Sequence, residues 1–524
     1  MKQFRKVLAV LLAMSMLFCL AAAGVSSSAT SPYSTKTFSN AKRYTFKHNP
    51  GSGDEGDVKS VVYYTDDYFT LDPTAASPNM SLASASFCLA LAGMGSIDAT
   101  SWKNSDQNLK AFFKTLGFKN YKANSEFKTE PTADSLGFAV ASKKVAGKDY
   151  TLIGLGFRGA RYDAEWAGNF TLGRHGQHAD FALNKDKVLD FLKQYIADNN
   201  IKGHVKIWLS GYSRGGAVGN LVAGAIDDGA LNGTGVKVGP KDLFAINFEP
   251  PKGAILADGI HAAKYNNIWS FVNPNDIVPL VAMEEYGFGH YGRTWNYPCS
   301  TNTTGYAKKQ KAMENLFYAQ SAHECCGDYT ADSFQMYKFD LADGIIAEDT
   351  ASTMTLPEFE KKLVNILSIN LVGSRDNFVN EYQNGFRTIM YLIEAKSLTT
   401  GAETDLENFI EVLQGNLQEE SMEARLQRAA ANPYDPTYGF NTVVGDLVRE
   451  SMNEAGFNSL NPVELTAFVN TVVKLVAGLL ITDPDMAVTL IMNLMKLVNV
   501  HYPAVSFAWL MTMDPNYKGV KDCY

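Results

Sequence analysis

Cysteine and histidine are scarce in this chain of 524 residues, at six and eight. Six cysteines are too few for a disulfide-dense scaffold. Adjacent Cys325 and Cys326 point apart more easily than they share one tetrahedral ion, so no metal-site pattern emerges. Cys19 sits in an apolar run near the start. The other five, Cys88, Cys299, Cys325, Cys326 and Cys523, leave at least one unpaired within a monomer, and spacing assigns no bridges. The formal net charge is -8, with no long basic run, which excludes a nucleic-acid footprint. There is no internal repeat, and aromatics at 12% exclude a disordered chain. The length allows one large core or two to three domains of roughly 150 residues each.

What the chain does contain is a serine between two glycines, at Gly211, Tyr212, Ser213, Arg214 and Gly215. A strand-forming run, Val205 to Leu209, leads in, and Ala217, Leu221, Val222 and Ala225 lead out at helical spacing. Strand, sharp turn and helix are the context in which such a serine is held exposed as a nucleophile, with small neighbours two positions away so the chains can pass. The bare pentapeptide arises by chance in roughly one chain in five of this length, so the flanks carry the reading. The competing reading is a serine in a Gly-rich turn.

Lys2, Arg5 and Lys6, an apolar run and Ala21 to Ala23 predict a secretory signal over residues 1–23 with an A-x-A cleavage site. No positive stop-transfer residues follow closely, so a secreted, extracytoplasmic protein is expected. Residues 24–60, rich in Ser, Thr, Gly and Lys, are expected as a surface arm. Over 61–350 strand and helix signals alternate, which predicts an α/β fold: an α/β-hydrolase with a mostly parallel central sheet covered on both faces. After about Thr350 helical periods dominate. Thr355 with Glu358, Asn461 with Glu464, and Asp483 before Pro484 mark helix starts. Residues 351–500 are expected as a large helical cap or insertion, and 501–524 as a segment returning to the core.

A serine needs a histidine to take its proton, and the histidine needs a carboxylate to hold its tautomer. In this fold the chain order is Ser, acid, His. Asp276 follows the apolar strand IWSFV, where a parallel sheet presents its site; the plainer reading is an Asp opening a turn before Pro279. Only His290, His323 and His501 come after it. His290 follows too closely to cross to a new loop. His501, in a loop before a last helical run, is the expected base, with His323 as the alternative. The oxyanion hole is expected from the backbone N–H of Arg214 and from the loop at Gly159 and Ala160. For Arg158 a buried structural cation is the plainer expectation. GLGFRG also fits a dinucleotide fingerprint, with Asp180 about 20 residues on, but the following residues make a poor helix and an exported protein meets little NAD. His175 and His178 invite a metal without clustered ligands, so they read as loop histidines.

Taken together, LIGLGFRGARYDAEW, the H-x-x-F of His178 to Phe181, GYSRGGAVGNL and FVNPNDIVP resemble the class 3 lipase family, the fungal-lipase-like α/β-hydrolases. EWAGNF and the late HYPAVSFAWL resemble its exported bacterial branch. The resemblance covers about residues 137–300 and the final segment. It implies an ester hydrolase with Ser213 as nucleophile, Asp276 as acid and a downstream histidine as base; the late motif favours His501. Arg214 departs from the leucine common in the family's elbow. Ala160 stands where many members carry a Ser or Thr that also donates to the oxyanion.

The expected function is therefore an exported serine hydrolase of carboxylic esters, acylglycerols among them, acting on a small-molecule or lipid ester with contact to a lipid interface. It needs no cofactor or metal. The rivals are a non-catalytic exported binding or surface protein on a hydrolase scaffold, and a serine peptidase or acyltransferase of the same fold.

Overall fold

In the computed structural model the described residues are 32–48, 57–95, 105–160, 163–321, 329–340, 345–387, 412–413, 415–432, 439–455, 466, 470–471, 473–474 and 478–518. They fall into two compact units, one of 23–330 with 499–524, the other containing 331–498. The expected signal segment and His323 lie outside the described residues.

The first unit opens with an antiparallel pair, β1 (Lys42–His48) and β2 (Val58–Tyr64). Part of the expected surface arm is thus a paired strand, because Phe46 is apolar and packs edge-on against Phe112. Helices α1 (Met80–Gly93) and α2 (Gln107–Thr115) follow. The main sheet is built from β3 (Lys119–Ala123), β4 (Phe138–Lys144), β5 (Thr151–Phe157), β6 (Gly203–Gly211), β7 (Leu243–Phe248), β8 (Ile268–Val272) and β9 (Arg293–Asn296). These lie side by side in chain order, and a two-residue strand, Val236–Lys237, also pairs with β6. Pairings from β5 to β9 are parallel, whereas β3–β4 and β4–β5 are antiparallel.

Successive residues of a strand point to opposite faces, and a parallel strand covered on both sides is apolar throughout. Ile207, Leu209, Leu243, Ala245 and Ile268 pack on one face with α3 (Ala179–Asp198) and α4 (Arg214–Asp227), the crossover helices between β5, β6 and β7. Trp208, Phe244, Phe248, Trp269 and Phe271 pack on the other with α1, α2 and α6 (Pro503–Met513), the last helix; α5 (Tyr306–Ser321) lends Met313 and Phe317 to the same cluster. The asymmetry has a physical cause. Right-handed crossovers between strands laid down in one direction put their helices on the same face. The opposite face must be covered by chain from elsewhere, and the first and last helices of the unit do so. The carboxyl-terminal segment is thereby drawn back onto the sheet.

In the second unit, Ser333–Asp340 and Ile345–Thr355 form an antiparallel hairpin, so it begins earlier in the chain than the expected boundary after Thr350. Helix Leu356–Asn365 starts at a capping box, in which Thr355 and Glu358 bond each other's backbone N–H groups as their spacing predicted. Helices Met422–Ala430, Phe440–Glu454 and Pro484–Asn499 share a core of Met422, Val444, Leu447, Val448 and Val488. Asp483 caps the last of these, its carboxylate accepting from Met486 N–H at 3.0 Å. Among the described residues no helix is long and apolar enough to cross a membrane.

Candidate active site

Strand β6 ends at Gly211, and α4 begins three residues later at Arg214. Between them Ser213 has φ 53° and ψ -129°, a backbone state that non-glycine residues rarely occupy. The turn is held by Ser213 N–H donating to Phe248 O at 2.9 Å and Ala217 N–H donating to Ser213 O at 3.0 Å. The two glycines of the pentapeptide are steric necessities. A Cβ on Gly211 would lie 2.4 Å from the carbonyl of Gly215, and one on Gly215 would lie 2.5 Å from the carbonyl oxygen of Arg158. Both collisions are with backbone, which cannot swing away as a side chain would.

Ser213 sits at the N-cap position, yet its hydroxyl makes no capping bond to the helix. It faces a histidine instead. His501 Nε2 lies 2.9 Å from Ser213 Oγ, and His501 Nδ1 lies 2.6 Å from Asp276 Oδ2. The other Asp276 oxygen accepts from Val278 N–H at 2.9 Å, which fixes the carboxylate plane. The Tyr212 hydroxyl donates to His501 O at 3.0 Å, tying the base loop to the elbow. Ser213 and Asp276 are buried, at 3% and 1% exposed, so the line of three groups is largely shielded from water.

The sequence separates Ser213, Asp276 and His501 widely, and the structure brings them into one hydrogen-bonded line. Each comes from a place the topology dictates: the turn after β6, the loop after β8, and the loop before the last helix. His290 is elsewhere, with Nε2 2.8 Å from Pro250 O, and burial pushes its pKa down to about 4, which keeps the ring neutral. His323 lies outside the described residues, and the nitrogen facing Ser213 Oγ is His501 Nε2.

The loop Arg158–Ala160 lies directly against the elbow. A Cβ on Gly159 would come 3.0 Å from Tyr212 O, and the Arg158 carbonyl crowds Gly215 as noted. The N–H of Arg214, at the first position of α4, has no carbonyl four residues back within its helix and is available to a ligand. The Arg214 side chain points away from that role. It is fully buried, 2.6 Å from Asp180, and donates to Asn169 Oδ1 and to the carbonyls of Ala133 and Ser135. Arg158 is likewise buried, paired with Glu165 and donating to Glu126 O, which makes it the structural cation its sequence setting suggested. The stretch from Glu165 to Asn169 now has a physical reading. Glu165 neutralises Arg158 in the loop against the elbow, Asn169 holds Arg214 under the elbow, and Gly168 leaves the space the Arg214 guanidinium fills. His178 caps α3 and stacks on Phe181 at 3.8 Å.

The glycines of GLGFRG do not form a phosphate-binding turn. Gly154 and Gly156 lie inside β5, where a Cβ would meet the Phe113 and Leu109 side chains of α2 at 2.5 Å and 2.8 Å. They let a helix approach the sheet, and Asp180 is bound to Arg214 rather than free for a ribose.

Sequence reasoning missed one group beside the site. Glu249, at the end of β7, is 1% exposed with φ 45°, and burial together with the Asp276 charge pushes its carboxyl well above the usual carboxylate range. The signal was present: like Asp276, it is an acid at the carboxyl end of a parallel strand.

Gly215→Ala tests the elbow packing. The added methyl must displace the Arg158–Ala160 loop, so a loss of about 1–3 kcal/mol in stability is expected from overpacking. A denaturant midpoint unchanged from wild type would contradict this account of the turn.

The sheet, the elbow and the Ser-acid-His order define the fold class as an α/β-hydrolase. No family profile and no curated protein matches the chain. Solved structures similar to it include a lipase from Rhizopus microsporus var. chinensis, 15% identical with TM-score 0.27 over 50% of this chain and 84% of that one. A mutant of MDLA from Penicillium cyclopium is 16% identical with TM-score 0.27, over 45% of this chain and 83% of its own. A structure described as fungal lipases has the same figures, 16% identity, TM-score 0.27, and 45% and 83% coverage.

Proposed function

We propose that this protein is a serine hydrolase that cleaves carboxylic esters through an acyl-enzyme. The observation that carries the reading is the Ser213 hydroxyl, uncapped on a strained turn, 2.9 Å from a histidine whose other nitrogen is 2.6 Å from a buried carboxylate. Asp276 accepts a hydrogen bond from the Nδ1–H of His501, which leaves Nε2 unprotonated to take the Ser213 proton. Attack of Oγ on the ester carbonyl makes a tetrahedral oxyanion, met by the N–H of Arg214 and by N–H groups at Gly159 and Ala160. The proton on His501 passes to the leaving alcohol, and water, deprotonated by the same ring, then releases the acid. Because Ala160 has no hydroxyl, the oxyanion is held by backbone donors alone in this reading.

The substrate class we assign is a lipid or small-molecule ester, acylglycerols included, and the family is the class 3 lipases, on the motifs quoted above. Export is part of the same proposal and rests on the charged, apolar and small-residue pattern of 1–23. Nitrophenyl esters of graded acyl length, offered beside a peptide panel, test it. We expect ester turnover that disappears in Ser213→Ala, carried by secreted protein that begins just after Ala23. Folded wild type that turns over no ester of any length, or prefers peptides, would overturn it.

A further inference from the structure

The line of three residues is held in place from behind by a second acid. Glu249 leaves β7 with a left-handed φ of 45°, a state that costs a glutamate of order 1–3 kcal/mol and persists where its surroundings fix it. Three bonds do so. Its N–H donates to Phe271 O at 2.8 Å, Oε2 accepts from Asn273 N–H at 2.8 Å, and Oε1 accepts from the Ser506 hydroxyl at 2.6 Å. Asn273 opens the acid loop, and its carbonyl accepts from Asp276 N–H at 2.9 Å. Ser506 lies in α6, the helix that the base loop enters. One buried side chain therefore bonds both the loop that carries Asp276 and the helix that follows His501.

We propose that Glu249 is a positioning residue that clamps the Asp276 loop to the His501 helix and so keeps the Ser213–His501–Asp276 line in register. This rests on the hydrolase reading given above. Burial, with the Asp276 charge, raises the Glu249 carboxyl well above the usual carboxylate range, which favours its neutral form. The groups facing it are Asp276, Tyr212, Tyr297 and the Ser506 hydroxyl. Burial raises both tyrosines well above the usual phenol range, so neither ionises near neutrality.

The test compares Glu249→Ala, Glu249→Gln and Ser506→Ala with wild type, by nitrophenyl butyrate kinetics across pH and by thermal melting. Loss of registry lowers the chemical step rather than binding, so Glu249→Ala should lose roughly 30- to 100-fold in kcat with KM within about threefold. In Glu249→Gln the amide oxygen can keep the Asn273 N–H bond, while the amide nitrogen donates to the Ser506 hydroxyl, which turns to accept. It should restore kcat to within about threefold and leave the acid limb of kcat/KM at the wild-type pH, because no charge has been removed beside the base. Ser506→Ala should lose about 3- to 10-fold in kcat. Glu249→Ala as fast as wild type would overturn the proposal. So would Glu249→Gln as slow as the alanine variant, or an acid limb shifted downward by about one pH unit, which would show an ionised Glu249. If Glu249→Ala does not fold, the glutamine and Ser506 variants decide by the same criteria. Wild type with no ester turnover overturns the hydrolase reading; active wild type with unaffected variants overturns only this one.

Discussion

His501→Ala lowers ester hydrolysis by about 10,000-fold or more, whereas His323→Ala leaves kcat/KM within about threefold. The contrast follows from the geometry. His501 Nε2 is the group 2.9 Å from Ser213 Oγ, and its Nδ1 already engages Asp276. Without the ring, the serine proton has no acceptor, and rate survives only through substrate binding and oxyanion donors. KM should change little, because the imidazole acts on the transition state more than on the bound ester. The measurement is a steady-state profile on a nitrophenyl ester for both variants. Abolished activity in His323→Ala with intact activity in His501→Ala would reverse the assignment of the base.

Asp276→Asn is the second large effect, expected at about 10,000-fold in kcat with the fold retained. The amide is nearly isosteric, so the Val278 N–H bond to Oδ1 can persist. What changes is the proton on His501. An amide donating to Nδ1 stabilises the tautomer that carries its proton on Nε2, which then faces Ser213 as a donor and cannot accept. The imidazolium formed during acylation also loses its counter-charge. Thermal melting close to wild type beside near-complete loss of turnover is the predicted combination. Activity within tenfold of wild type would show that Asp276 is not the acid.

The elbow was legible in the sequence because its demands are local: a strand run, a turn that tolerates no Cβ at Gly211 or Gly215, and a helix. Asp276 was legible for a related reason, as an acid just past a buried strand. The base was not, since His501 is brought to Ser213 by tertiary topology. The crossovers of β5 to β7 cover one face of the sheet and leave the other for helices from the two ends of the unit, and no local pattern encodes that. Chain order and the late HYPAVSFAWL motif pointed to His501, but not to its distance from Ser213. Glu249 escaped for a different reason. Locally it is an acid after an apolar strand and before two prolines, which resembles the start of an ordinary polar loop. Only the packed structure shows that its side chain is buried. The glycines of GLGFRG show the converse, a pattern with one chemical meaning in a turn and another inside a strand, where Gly154 and Gly156 make room for α2.

The central claim is that Ser213 is a nucleophile activated by His501. A fluorophosphonate probe reports this directly, because it phosphylates only a serine whose proton has somewhere to go, and mass spectrometry of the digested protein locates the adduct. The account predicts a single adduct on the peptide containing Ser213, absent in Ser213→Ala and slowed about 1,000-fold or more in His501→Ala. Folded wild type that takes no label, or takes it on another residue, would contradict it.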